Sequence, residues 1–144
     1  MLVAASGLVL DQATKELAVR VLSSRTIDLP GPFRLDLVFN AGGAFGLGLP
    51  WWVFIVVTAI VAVLIVRTLP RSTSQLEPVA YGLLLSGALG NVTDRLLRPP
   101  GGGRGEVVDF LGSTFWPTFN VADVGITVGF VLLVAAVVVS ERRT

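Results

Sequence analysis

Apolar and polar residues alternate along the chain in long blocks: four apolar runs joined by two long polar connections and a short one. The clearest run is residues 51–66, WWVFIVVTAIVAVLIV, which carries no charge. Its β-branched content would suit a strand in water, but its length and lack of alternation predict a helix in lipid. A spanning helix needs about 20 largely apolar residues. Trp51 and Trp52 stand where an aromatic belt anchors such a helix, and Arg67 closes its other end. A second clear run, residues 121–140, is followed by Glu141-Arg142-Arg143.

Two further runs are interrupted. Residues 78–97 include Gly82, Gly87, Gly90, Asn91, Asp94 and Arg95, and residues 1–22 include Asp11, Lys15, Glu16 and Arg20. The polar residues recur at helical spacing and so can face a bundle, while the small ones allow close helix contact. Both runs are therefore predicted as membrane helices. No basic region precedes the first apolar stretch and no A-x-A site follows it, which argues against a cleaved signal peptide.

Residues 23–50 alternate loosely around Arg34-Leu35-Asp36-Leu37-Val38-Phe39 and include Pro30, Gly31 and Pro32, the pattern of a small amphipathic sheet element. Residues 98–120 contain Pro99-Pro100-Gly101-Gly102-Gly103, a flexible break. The expected fold is an all-α membrane protein with four transmembrane helices and a small β-rich element between the first two. It forms one domain over residues 1–144, with helices at about 1–22, 51–67, 78–97 and 121–140. Four spans place the connections 23–50 and 98–120 on one side of the membrane, and both termini on the other.

Composition agrees with lipid as the solvent. Hydrophobic residues make up 53% of the chain and charged ones 15%, with a mean hydropathy of +0.78; a soluble domain carries about 25% charged residues. A net charge of +1, without a basic stripe and interleaved aromatics, gives no nucleic-acid surface. Orientation stays open on charge alone. The termini and the short loop hold Arg67, Arg71, Arg142 and Arg143, while the other seven basic residues fall on the opposite side. Of those seven, Lys15, Arg20, Arg95 and Arg34 look like parts of a site rather than free loop charges.

The chain has neither cysteine nor histidine. That excludes disulfides, thiol nucleophiles, Fe–S clusters, zinc sites built on His or Cys, and Ser-His-Asp triads. Acid–base chemistry is left to Asp, Glu, Lys, Arg and the single tyrosine. An ionisable residue within a membrane helix costs roughly 2.5–3.5 kcal/mol on insertion scales, so each needs a reason.

Four clusters stand out. Asp11 precedes Lys15 by four residues, the order of a favourable helical ion pair that positions the helix. Asn40-Ala41-Gly42-Gly43-Ala44-Phe45-Gly46 is either an ordinary glycine-rich turn or a place where backbone approaches a ligand. Gly87, Asn91, Asp94 and Arg95 fall on one helix face. There an Asp94–Arg95 network would tie the helix to its neighbours, and Asn91 and Arg95 are candidates to contact a substrate backbone. Asp109 stands among apolar residues after the flexible break, where an idle carboxylate is unfavourable. Asn120 reads as a helix N-cap, with Asp123 at the third helical position.

Two carboxylates brought together share a proton. One then activates a water while the other donates to a carbonyl, which is aspartic peptidase chemistry without metal, His or Cys. The helix N-terminus favours Asp123 as the carboxylate and leaves Asp109 as the proton carrier.

Taken together and in order, these clusters resemble the bacterial lipoprotein signal peptidases, or signal peptidase II. The likeness rests on Asp11-Gln12…Lys15, Asn40…Gly42…Ala44-Phe45-Gly46, Gly87-Ala88…Gly90-Asn91…Asp94-Arg95, Val108-Asp109-Phe110, and Phe119-Asn120…Ala122-Asp123…Ile126. It implies a four-helix bundle in the bacterial cytoplasmic membrane, termini in the cytoplasm and the site at the outer face. The implied reaction removes the signal peptide from a prolipoprotein by hydrolysing the bond before the diacylglyceryl-modified lipobox cysteine. Asp109 and Asp123 are then the catalytic pair, with Asn40, Asn91, Arg95 and Asn120 at the substrate. Asp11, Lys15 and Asp94 support the site. No metal or cofactor is implied, the chain is expected to act as a monomer amid membrane lipid, and the family is the target of the antibiotic globomycin.

This sequence departs from the family pattern in four places. Gly43 replaces a frequent Ala, and Ser86 a frequent Gly. The stretch 98–105 is longer and richer in Pro and Gly than the usual link. Only ten residues precede Asp11, so the true start is expected upstream. The competing readings are a small transporter using intramembrane acids, for which no inverted repeat is visible, and a non-catalytic scaffold, which four polar clusters would not serve.

Overall fold

In the computed structural model, residues 1–42, 48–72, 74–99 and 104–141 are described. The glycine-rich turn at Gly43-Ala44-Phe45-Gly46, most of the Pro/Gly break (Pro100 to Gly103) and the terminal Arg142-Arg143 lie outside them. Four long helices carry the fold: α1 (Leu2–Leu22), α2 (Trp51–Thr68), α3 (Leu76–Leu97) and α4 (Val121–Glu141). Three strands, β1 (Ile27–Asp28), β2 (Phe33–Asn40) and β3 (Val107–Ser113), form an antiparallel sheet in the order β1-β2-β3.

Two stretches, Trp51–Arg71 and Val121–Val139, are long and apolar enough to cross a membrane, each with a hydropathy of 2.5. Their outer faces stay unburied: Ile60, Val63 and Leu64 on α2, and Phe130, Val131 and Val134 on α4, are all exposed. Patches of that kind are a poor surface in water and a normal one in lipid. In α1 and α3 four of the charged residues turn inward instead: Asp11, Lys15, Asp94 and Arg95 are all buried.

Close helix contact depends on residues without a side chain. A Cβ on Gly7 of α1 would stand 2.6 Å from the Ser86 hydroxyl of α3, and one on Gly129 of α4 would stand 2.8 Å from the Ala80 carbonyl. Gly87 likewise backs directly onto Ala122 and Ile126 of α4. Thus α3 lies pressed between α1 and α4. By contrast, α2 packs along α3 and makes at most slight contact with the other long elements.

The sheet corrects the expected architecture in two ways. Its third strand comes from the connection between α3 and α4, so the β element does not belong to the first connection alone and the fold is not purely α-helical. Asp109 consequently lies in a strand, opposite Val38, rather than in a loop. The run Val107-Val108-Asp109-Phe110-Leu111 is rich in β-branched and aromatic residues and finds a partner edge in β2. Val108 and Phe110 join Ala18 and Leu22 of α1 in a small apolar core that fixes the sheet on the helix ends.

Candidate active site

The end of β3 and the start of α4 meet through backbone bonds. Phe119 donates to the Leu111 carbonyl at 3.0 Å, and its own carbonyl accepts from Leu111 at 2.8 Å. The next residue, Asn120, is thereby held beside Asp109. Asn120 caps α4 in a reciprocal arrangement: its Oδ1 accepts the Asp123 backbone N–H at 3.1 Å, and its own N–H donates to Asp123 Oδ2 at 3.1 Å. Such a capping box satisfies two otherwise unpaired backbone donors. The same bonds bring Asp123 to the site, so its structural and chemical roles coexist.

Both carboxylates are gripped by amides. Asp109 Oδ1 accepts from Asn120 Nδ2 at 2.6 Å and its Oδ2 accepts from Asn40 Nδ2 at 2.9 Å. Asp123 Oδ1 accepts from Asn91 Nδ2 at 2.9 Å. Asn120 also donates to Asn91 Oδ1 at 3.2 Å. One carboxamide thus touches Asp109, Asn91 and, through its cap, Asp123.

Burial pushes the Asp109 carboxyl up from the ordinary carboxylate range to about 6. The Asn40 hydrogen bond opposes that rise and the neighbouring Asp123 charge adds to it.

Behind the pair lies a closed polar cluster. Lys15 Nζ reaches Asp11 Oδ2 at 2.9 Å, Asp94 Oδ2 at 3.0 Å and Asn91 Oδ1 at 3.0 Å, and the lysine is fully buried. Asp11 Oδ1 accepts the Ala122 N–H of α4 at 2.8 Å, while Asp94 accepts the Val108 N–H of β3 at 3.1 Å. Asp94 also pairs with Arg98, not with Arg95 as expected, at 2.9 Å. Arg98 stands one helical turn beyond Asp94, so the i,i+4 spacing that revealed Asp11 and Lys15 would have revealed this pair too. Gln12 completes the cluster by donating to the Gly90 carbonyl at 3.1 Å.

The polar residues of α3 lie along one broad arc of the helix but meet different neighbours. Asp94 turns to α1, Gly87 to α4, and Arg95 to α2, where its guanidinium stacks 4.0 Å from the Phe54 ring centroid. Arg95 Nη1 donates to the Ala41 carbonyl at 3.3 Å, and its buried Nε has no hydrogen-bond partner among the described residues. Phe54 lies within a uniformly apolar run, and nothing in the sequence marks it. Arg20 and Arg34 are not part of the site. Arg20 pairs with Glu16 on the surface, and Arg34 pairs with Asp36 where both are partly open to solvent.

The pair opens onto a cavity of about 560 Å³ whose lining includes Asn40, Asn91, Arg95, Asp109 and Asp123. Its remaining walls are mostly apolar side chains of α2, α3 and α4, with Trp116 and Pro117 also contributing. Of the residues singled out from the sequence, Asn40, Asn91, Arg95, Asp109 and Asp123 line it, whereas Asn120, expected at the substrate, is fully buried behind Asp109, and Asp11, Lys15 and Asp94 also lie behind the wall. Among the described residues, no group of three or more Asp, Glu, His or Cys side chains is placed to hold a metal ion.

Comparison with known proteins points the same way. The model of the signal peptidase (SPase) II family matches residues 3–139. The lipoprotein signal peptidase of Mycolicibacterium smegmatis is 42% identical over 136 residues, covering 92% of this chain and 58% of that one. The Mycobacterium avium lipoprotein signal peptidase is also 42% identical, over 92% of this chain and 74% of the relative. The chain therefore spans a little over half of the first relative and about three quarters of the second. A bacterial membrane enzyme solved by the in meso method at 2.3 Å superposes with a TM-score of 0.84 and 28% identity, over 99% of this chain and 89% of the other. A second such enzyme, at 1.9 Å, gives a TM-score of 0.75 and 29% identity over 94% and 90%. A match this long in sequence, together with the shared fold, leaves one conclusion: the chain belongs to the signal peptidase II family.

Proposed function

We propose that this chain is an intramembrane aspartic endopeptidase that cleaves diacylglyceryl-modified prolipoproteins before the lipobox cysteine. The observation that carries the reading is the pair Asp109 and Asp123, joined through Asn120 at the polar end of an otherwise apolar cavity. In this reading all four helices span the cytoplasmic membrane, with the sheet and the site at the outer face. Asp11 and Lys15 of α1 and Asp94 and Arg95 of α3 are sheltered inside the bundle, where lipid does not meet them.

The reaction follows from the two environments. Asp123, accepting from Asn91 and from a backbone N–H at the helix start, is the carboxylate that takes a proton from the attacking water. Asp109, whose carboxyl is raised to about 6, is the group that donates a proton to the scissile carbonyl oxygen as hydroxide adds to its carbon. In the resulting gem-diol, Asp109 takes back a hydroxyl proton while Asp123 delivers its proton to the peptide nitrogen. The C–N bond breaks, the signal peptide leaves with a new carboxylate, and the lipoprotein leaves with a free α-amine. Arg95, held over Phe54 in the cavity wall, is suited to bind a substrate carbonyl.

The slight contact between α2 and its neighbours other than α3 suits a lipid-anchored substrate arriving sideways from the bilayer. Two long acyl chains do not fit with a peptide in about 560 Å³, so they remain in lipid while the peptide enters. The test is mass spectrometry of a lipobox peptide treated with purified protein in lipid. The expected result is a cut before the modified cysteine and none in the unmodified peptide. Equal cleavage of both peptides would overturn the substrate assignment.

A further inference from the structure

Lys15 lies behind the carboxylate pair and touches neither member, yet its three ammonium hydrogens are all engaged. Two go to the carboxylates of Asp11 on its own helix and Asp94 on α3, the second bond holding α1 to α3. The third goes to a neutral atom, Asn91 Oδ1, at 3.0 Å. An ammonium only donates, so the Asn91 atom facing it must be the oxygen. The other end of that carboxamide is then the NH₂ group, which faces Asp123 Oδ1 at 2.9 Å.

We infer that Lys15 is a positioning residue for hydrolysis: it fixes the direction of the Asn91 carboxamide and thereby holds Asp123 ready as a hydrogen-bond acceptor. The inference rests on the dyad proposed above. Asn120 Nδ2 supports the same orientation from the other side at 3.2 Å. That bond is between neutral groups and longer, whereas the ammonium bond is charge-assisted and about twice as strong. A bond received at Oδ1 from a cation also polarises the amide, strengthening the N–H that Asn91 offers to Asp123. Without Lys15 the carboxamide is free to turn its oxygen toward Asp123, an arrangement compatible only with a protonated Asp123. The carboxylate that takes the proton from water would then be occupied.

Removing the lysine alone would strand two buried acids, so the informative variant removes a charge of each sign. Lys15→Met with Asp11→Asn leaves Asp94 paired to Arg98, and the new amide oxygen at position 11 still accepts the Ala122 N–H. The net charge of α1 is unchanged, and Arg95 and Asp94 on α3 are untouched, but the Lys15 charge also draws the Asp109 carboxyl down, so an Asn91→Ala background is what isolates the hydrogen bond. The expected result, with purified protein and a diacylglyceryl lipobox peptide, is a kcat reduced about thirtyfold with KM within twofold. The acid limb of the pH profile should move to higher pH, because the ionised dyad has lost a donor. A structural role alone would lower the folded fraction and leave the kcat of the folded protein unchanged.

The decisive comparison repeats the double substitution in an Asn91→Ala background, where Lys15 has no carboxamide to orient. There kcat should change less than twofold relative to Asn91→Ala. A thirtyfold loss in both backgrounds, or an unmoved acid limb, would overturn the inference while leaving the peptidase reading intact. A wild-type protein that fails to cleave the modified peptide would instead remove the peptidase reading, and this inference with it.

Discussion

The two sides of the cavity differ in nearly every physical respect. One side is α1, α3 and α4, pressed together at glycines, with Lys15 bonded three times and Asp94 bonded to α1 and β3 as well as to Arg98. The other is α2, which buries a single residue, Ile65, and among the long helices packs mainly on α3. The contrast teaches where accuracy is needed. Proton transfer demands carboxylates held in fixed geometry, and a saturated network supplies that. Admission of a bulky, lipid-bearing peptide requires a wall that gives way, and an apolar helix facing lipid can shift at little cost.

The comparison can be broken most severely at its centre. Asn120→Ala removes a side chain that bonds to both Asp109 and Asn91 and also caps α4. Activity should fall on the order of 10²–10³-fold, with a further loss of about 1 kcal/mol in stability from the missing cap. Both are measurable by peptide cleavage and thermal unfolding. Acidity gives the next largest effect. Because Asp109 must be protonated to donate and its carboxyl is raised to about 6, kcat/KM should fall about tenfold for each pH unit above that value. The corresponding limb in kcat should lie higher, since bound substrate excludes more water from Asp109.

On the loose side the effects should be smaller and of a different kind. Val57→Trp on α2 places bulk in the cavity without touching the polar wall. KM should rise about tenfold with kcat and unfolding temperature nearly unchanged, and a large fall in kcat instead would show that α2 belongs to the rigid half. The smallest effect is expected outside both regions. The Arg20–Glu16 pair is largely exposed, so Arg20→Ala should alter neither activity nor stability beyond the small range of surface pairs.

How much of this was legible in the sequence depended on whether a residue's reason was local. Two helices announced themselves by the length of their apolar runs, the first and third by the helical spacing of the polar residues that interrupt them, and the Asn120 cap by a residue type suited to a helix start. The Asp11–Lys15 pair was visible from its spacing. The third strand was not, because the flexible break before it hid the fact that its β-branched run finds an edge in β2, nearly 70 residues away in the chain. Asp94 was assigned to Arg95 by adjacency, yet neighbours in a helix point about 100° apart, and the residue one turn on, Arg98, took that place. Arg20 and Arg34 were drawn into the site by charge alone and proved to be surface residues. Phe54 could be recognised only once α2 and α3 were seen to meet.

The most direct test of the account compares wild type with Asp109→Asn and Asp123→Asn, each purified in lipid and checked for an intact fold. The measured quantity is the rate of cleavage before the diacylglyceryl cysteine. Each substitution is expected to lower that rate at least about 10³-fold while the protein stays folded. Retention of a near wild-type rate by either variant would contradict it, and the catalytic pair would have to be sought elsewhere in the cavity.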